Sequence, residues 1–372
     1  MYGAFCSDEA SLESYSDALR YHWGREILAK REKSRKRARD NSLQEANATT
    51  RNPTTGKSQS DAHYSVLAGY HPDHYYANRY SDIAPYDRTR VIVGQGRYLN
   101  ASWVRELYGG KLWIATQAPL PPTAHTFLSA LMQPLATSSD SRTSSGRVRT
   151  VVQLTQNFES GRQKAHAYFP SVPGQSMVAP PEPGCNAPPL KVTLIESHII
   201  TDSQCLQSKI SIHPISSPNG RHEEPVVFTH MLYGAWPDHG VPQSEDQASL
   251  LSFTRLVDRV NRNGVVDQDP DPPIMVNCSA GVGRTGAFIA LSSLLRAYLL
   301  LSESTLPLPS DPTPPFSLPP SPLGCIPNEQ QNDLVVQEID ALREQRPGMV
   351  QQEEQARLIY SILIQAFTDV AP

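Results

Sequence analysis

The chain has 372 residues, 39% of them hydrophobic, and a formal net charge of −4, so it can bury a substantial core and has no global attraction to nucleic acid or anionic membranes. Five cysteines (Cys6, Cys185, Cys205, Cys278, Cys325) occur without CxxC pairs or histidines at metal-ligand spacing, which implies neither a zinc site nor a disulfide scaffold and fits a reducing compartment. The first twenty residues lack a signal peptide's apolar core, and the longest apolar run, 287–301, is broken by Ser292, Ser293 and Arg296; a cytoplasmic protein without a membrane span is the expectation.

Residues 8–39 read as a helix, acidic at the start and basic at the end, with Leu12, Tyr15, Leu19 and Trp23 at helical spacing. The basic run at 30–39, from Lys30 to Arg39, is read as a solvated helix end, with a nuclear import signal or anion-binding patch as the sharper alternative. A polar linker then extends to about Asp61. Strand-like pieces alternate with turns over 78–104, followed by a strand at 111–117, a helix at 123–132, a buried strand at 148–155 and a turn at Phe158-Glu159-Ser160-Gly161. Further strands are expected at 190–202, 206–213 and 225–233, and helices at 246–262, 334–344 and 352–367, with Arg346-Pro347-Gly348 as a break. Stretches rich in Pro, Gly or Ser near 134–147, 171–189, 214–224 and 302–332 belong on the surface. The last holds Pro309-x-x-Pro312, Thr313-Pro314 and Ser321-Pro322; it is read as a spacer, the alternatives being an SH3-type ligand or a proline-directed phosphorylation site.

The most informative stretch is Pro272-Pro273-Ile274-Met275-Val276-Asn277-Cys278-Ser279-Ala280-Gly281-Val282-Gly283-Arg284-Thr285-Gly286. An apolar run stops at a cysteine, glycines follow, and a long apolar segment opens behind them: strand, tight loop, helix. Such a loop turns successive N–H groups inward, and the helix start adds unpaired donors and a positive dipole end. A thiol there is favoured as thiolate, which makes Cys278 a candidate nucleophile. Arg284, six residues on, can bring a planar guanidinium over the same centre and donate paired hydrogen bonds to a phosphoryl group. The spacing Gly281-x-Gly283-x-x-Gly286 also satisfies the dinucleotide fingerprint, but the proline-crowded chain that follows has no room for the second strand of a βαβ unit.

Together with the loop Trp236-Pro237-Asp238 and the segment Asn78-Arg79-Tyr80, in this order, the chain resembles the protein tyrosine phosphatase family, in its cysteine-dependent, phosphotyrosine-specific branch. The resemblance covers roughly residues 75–365 and implies an α/β catalytic domain over about 62–370, a strongly twisted mixed sheet flanked by helices, preceded by an N-terminal helical extension over 1–61. It implies that Cys278 attacks phosphorus while Arg284 and the N–H groups of Ser279, Ala280, Gly281, Val282, Gly283 and Arg284 hold the equatorial oxygens. Asp238 would be the general acid and later the base, and Trp236 the anchor of its loop. Thr285 would stabilise the departing thiolate, and Gln351 would place the hydrolytic water with Gln355 assisting. Glu159 would hold Arg284, and Lys164 would stand near the acid loop. Tyr80 would wall a pocket too deep for phosphoserine, and Asp82 would accept hydrogen bonds from the substrate backbone. The implied substrates are phosphotyrosyl proteins, among them a kinase of a signalling cascade, with no cofactor, metal or nucleic acid.

One departure bears on chemistry: Asn277 stands where the family usually has histidine. An amide donates hydrogen bonds but carries no charge, so the expected Cys278 pKa is higher than in typical relatives. This keeps a second reading open, a phosphotyrosine-binding scaffold that turns over poorly.

Overall fold

In the computed structural model the described residues are 15–49, 58–135, 146–215, 224–238, 240–263, 269–305, 320–327 and 332–369. Seven helices among them are α1 (Tyr15–Thr49), α2 (Gln59–His63), α3 (Ala124–Ser129), α4 (Ser244–Arg262), α5 (Gly283–Ala297), α6 (Leu334–Gln345) and α7 (Glu353–Thr368). The strands are β1 (Arg90–Val93), β2 (Arg97–Arg105), β3 (Leu112–Gln117), β4 (Thr150–Gln153), β5 (Phe158–Glu159), β6 (Arg162–Gln163), β7 (Ser176–Ala179), β8 (Leu190–Ile200), β9 (Cys205–Pro214), β10 (Val226–Tyr233) and β11 (Ile274–Cys278).

Nine strands form one mixed sheet in the order β1-β2-β3-β11-β4-β10-β9-β8-β7, and β5 and β6 form a separate ribbon. β11 lies in the middle, parallel to both β3 and β4, and β4 is parallel to β10. That position explains its composition, since a strand buried on both faces reads as a continuous apolar run rather than an alternation. Alternate residues feed two cores. Ile274 and Val276 join Trp113 and Val152 beneath α4, α5, α6 and α7, while Met275 joins Ile114, Val151 and Phe127 on the other face. The ribbon turns at Ser160 and Gly161, both with positive φ (47° and 73°), the geometry of a tight hairpin. No helix among the described residues is long and apolar enough to cross a membrane.

Four expectations are corrected or extended. The polar linker after residue 39 is helical as far as Thr49, and Gln59–His63 forms α2, so a boundary at 61 falls inside an element. The basic run is not simply solvated: Arg35 is fully buried and lies 2.6 Å from both Asp340 and Glu344 of α6, Arg31 binds Asp340 at 2.9 Å, and Arg39 reaches the Tyr86 hydroxyl at 3.1 Å. Lys30, Lys33, Lys36 and Arg37 remain exposed. Every third or fourth residue of a helix shares a face, and here one face carries the arginines that dock. The insertion at 171–189 contributes β7, the edge of the main sheet, with Ala179 and Leu190 in the core. In the proline-rich region, Pro309, Pro312, Thr313 and Pro314 lie outside the described residues, but Ser321 bonds Glu344 at 3.0 Å and the carbonyls of Leu323 and Gly324 accept from Arg31.

Candidate active site

β11 ends at Cys278 and α5 begins at Gly283, so the loop between them is closed by its own geometry. Gly281 takes φ +73°, and a Cβ there would collide with the Thr116 carbonyl of β3. Only glycine permits both the backbone angle and the approach. The consequence is convergence on sulfur: the Gly281 N–H points to Cys278 Sγ at 3.3 Å. Burial opposes ionisation of this thiol, and the Thr285 hydroxyl, the Arg284 guanidinium and the N–H groups of Thr285 and Val282 outweigh it, so Cys278 titrates below its ordinary value.

Arg284 is gripped from three directions. Its two terminal nitrogens donate to Glu159 Oε1 and Oε2 at 2.8 and 2.9 Å, a bidentate pair, and Nη1 also donates to the Leu154 carbonyl at 3.0 Å. Nη2 further donates to the carbonyls of Pro237 (2.9 Å) and Asp238 (3.1 Å). The Trp-Pro-Asp loop is therefore docked onto the guanidinium. Trp236, 3% exposed, anchors that loop in the core and its indole N–H closes on the Gly240 carbonyl at 3.4 Å.

The Asp238 carboxylate lies 2.6 Å from Lys164 Nζ and 3.9 Å from Arg284 Nη2. Burial would raise its pKa, but the Lys164 ammonium, with a hydrogen bond from Ser160, brings it down to about 2. Asp238 and Lys164 thus form an ion pair beside the Arg284 guanidinium.

The Ser279 hydroxyl donates to the Lys164 carbonyl at 2.7 Å, so the Tyr80 hydroxyl is the donor to Ser279 Oγ at 2.8 Å. Tyr80 is held from behind by Arg79, whose N–H donates to Gln117 Oε1 at 2.9 Å and whose Nε donates to the Ala118 carbonyl at 3.2 Å. Asp82 is exposed beyond it. Gln351 is exposed at the start of the α7 turn, whereas Gln355 is buried, accepts from the Gln352 N–H at 3.1 Å and packs against Gly283. Asn277 is fully buried; its amide donates to the Cys278 carbonyl at 3.3 Å, and Oδ1 has no hydrogen-bond partner among the described residues.

Two residues escaped sequence reasoning. Arg346, read as part of a helix break, is fully buried and donates to the carbonyls of Gly281 (2.8 Å) and Ala280 (3.1 Å). With those carbonyls tied back, the N–H groups of the same peptides face the sulfur side. Arg343, one turn earlier, holds the segment before Gln351. The only signal was the Arg-x-x-Arg spacing at a helix end, where cations are common for dipole reasons alone. Among the described residues no group of three or more His, Cys, Asp or Glu is placed to hold a metal, and no strand follows α5 to complete a βαβ unit.

The fold and this loop define a class of protein, an α/β domain in which a buried thiol sits among the inward-turned N–H groups of a loop that opens a helix. Within that class the assignment is direct: the family model for protein-tyrosine phosphatase matches residues 74–303, and the chain belongs to that family. It is 29% identical over 318 residues to tyrosine-protein phosphatase non-receptor type 18 of Mus musculus, covering 83% of this chain and 56% of the relative. It is 29% identical over 290 residues to tyrosine-protein phosphatase 2 of Schizosaccharomyces pombe, covering 77% and 33%. With the human receptor-type tyrosine-protein phosphatase eta it shares 30% over 234 residues, 62% of this chain and 15% of that one. This chain therefore spans about half the length of the first of these relatives and less of the others.

Proposed function

We propose that the chain hydrolyses phosphotyrosine in proteins by way of a cysteinyl-phosphate. Cys278 Sγ attacks phosphorus, the bond from phosphorus to the tyrosyl oxygen breaks, and the oxygen takes a proton from Asp238. The equatorial oxygens are held by the loop N–H groups and by Arg284, whose Nε–H has no protein acceptor among the described residues. Water, oriented by Gln351, then attacks phosphorus; its proton goes to the Asp238 carboxylate and the P–S electron pair returns to Sγ, steadied by Thr285.

Asp238 must be protonated for the first step, yet its pairing with Lys164 favours the carboxylate. A phosphate dianion entering beside it supplies the like charge that raises its pKa, so substrate itself arms the acid. Tyr80, with its hydroxyl fixed on Ser279, sets a wall against which an aromatic ring stacks, which selects phosphotyrosine over phosphoserine.

The observation that carries this reading is the convergence on Arg284. One guanidinium ties the sulfur loop, the Glu159 hairpin and the backbone of the acid loop into a single cradle. The test is hydrolysis of phosphotyrosyl and phosphoseryl peptides by purified protein. Turnover of the first alone, absent in Cys278→Ser, supports the reading, and Asp238→Ala should retain phosphotyrosyl proteins from extract. The second reading, a binding module that turns over poorly, draws on Asn277, which brings no charge to the loop; equal inactivity of wild type and Cys278→Ser, with phosphotyrosine still bound, would select it.

A further inference from the structure

Arg343 stands in the last turn of α6 and spends its guanidinium on carbonyls from two distant segments. Nε donates to the Met349 carbonyl at 2.8 Å, Nη2 to the Val350 carbonyl at 2.7 Å, and Nη1 to the carbonyl of Leu28 in α1 at 3.2 Å. Met349 and Val350 are buried, and the residue that follows them is Gln351. Val350 has φ +53°, a left-handed conformation that a β-branched residue adopts only when its surroundings impose it. Two contacts impose it here: Arg343 on the carbonyl side, and a bond from the Val350 N–H to the Val282 carbonyl of the phosphate loop at 3.2 Å. α1 sets Arg343 from behind. Leu28 is part of the main core, and the helix is pinned to α6 by Arg31 and Arg35.

We infer that Arg343, backed by α1, is the positioning residue for Gln351, and that it acts on hydrolysis of the cysteinyl-phosphate rather than on its formation. The inference rests on the reading above, in which Gln351 orients the attacking water. In that step the water oxygen bonds to phosphorus, the P–Sγ bond breaks with its pair returning to sulfur, and the proton passes to Asp238. Only this step needs a water placed to a fraction of an ångström. Formation of the intermediate uses the loop, Arg284 and Asp238, none of which Arg343 touches. A Met349-Val350 backbone free to relax out of its strained angle would swing Gln351 off the water, and the Val282 carbonyl, losing the Val350 N–H, would keep that of Gly286 at 2.8 Å and hold the loop in place.

The experiment is pre-steady-state kinetics with p-nitrophenyl phosphate on wild type, Arg343→Met, Arg343→Lys, Gln351→Ala and the double variant Arg343→Met/Gln351→Ala. Arg343→Met is expected to keep the burst rate constant within about twofold and to slow the steady phase about tenfold, so that phosphoenzyme accumulates. Arg343→Lys, which retains donors, should recover part of the loss, and the double variant should be no slower than Gln351→Ala. Partial unfolding lowers burst amplitude, not these rate constants, so a destabilised variant still reports. A burst and a steady phase that fall in proportion, or an Arg343→Met effect that multiplies fully onto Gln351→Ala, would overturn the inference. A Gln351→Ala enzyme with an unslowed steady phase would instead remove the water-orienting role assigned to Gln351 in the proposed function.

Discussion

Replacing Glu159 by glutamine keeps the side chain's shape and removes its charge, and the hydrogen bonds decide where the loss falls. Oε1 accepts from the Thr155 hydroxyl (2.8 Å), the Gln156 N–H (3.0 Å) and Arg284 Nη1 (2.8 Å), whereas Oε2 accepts from Arg284 Nη2 alone (2.9 Å). The amide will keep its oxygen where three donors meet and turn its NH2 toward Arg284. One charge-assisted bond is lost and a donor faces a donor. A hydrogen bond to a charged group contributes about 1.5–3 kcal/mol, and if all of it is felt in the transition state kcat/KM falls about 10- to 150-fold. Nη2 retains the carbonyls of Pro237 and Asp238, which blunts the repulsion, so the lower half of that range is expected. The assay is kcat/KM on a phosphotyrosyl peptide with vanadate affinity and melting temperature measured beside it. A variant within about twofold of wild type in both kcat/KM and vanadate affinity would show that the guanidinium needs no carboxylate to stay over the sulfur.

Asn277→His should lower the Cys278 pKa by bringing a protonatable ring to the loop base, measured by iodoacetamide inactivation against pH; an unchanged inflection would refute the argument from charge. Lys164→Ala lets Asp238 titrate nearer its ordinary 3.8 instead of about 2. A depressed carboxylate pKa stabilises the fold above the unfolded value and the benefit is lost as pH falls through the folded one, so the stability gap between wild type and variant should be full above about pH 5 and closed only below about pH 2. Urea titrations showing a constant gap across that window would exclude it. Glu338, wholly buried near Glu106, is pushed up to about 8 by burial first and by that neighbouring carboxylate, against a hydrogen bond from Ser293. Its contribution is complete below the ordinary 4.5 and lost as pH rises through 8; Glu338→Gln should flatten that decline in thermal melts, and an equal slope in both proteins would contradict it. Arg35→Met removes the fully buried cation between Asp340 and Glu344, which keep Arg31 and Arg88 respectively, so the cost should lie at the low end for a broken buried pair, about 3 kcal/mol, read as a fall in melting temperature that Arg35→Met/Glu344→Gln partly restores.

Much of the candidate site was legible in the chain because its loop geometry is local. A strand ending at Cys278, glycines that permit a curled backbone and Arg284 six residues later determine one loop, whose N–H groups converge through bonds spanning three to seven positions. The strand and helix spans were legible for the same reason, since apolar periodicity within a dozen residues reports the face each element buries. The edge strand β7 was not, because four residues in a Pro- and Gly-rich stretch carry too little periodicity to stand out. Partners far apart in sequence were decided only by the sheet order that brings β11 between β3 and β4. Glu159 meets Arg284 across 125 positions, Arg346 meets Gly281 across 65, and Arg343 meets Leu28 across 315. A basic run on a helix has the same composition whether its arginines face water or Asp340 and Glu344. Charge is a property of residues, but burial and pairing are properties of the packed chain, and on those depend the lowered titration of Cys278, the pairing of Asp238 with Lys164 and the hold of Glu159 on Arg284.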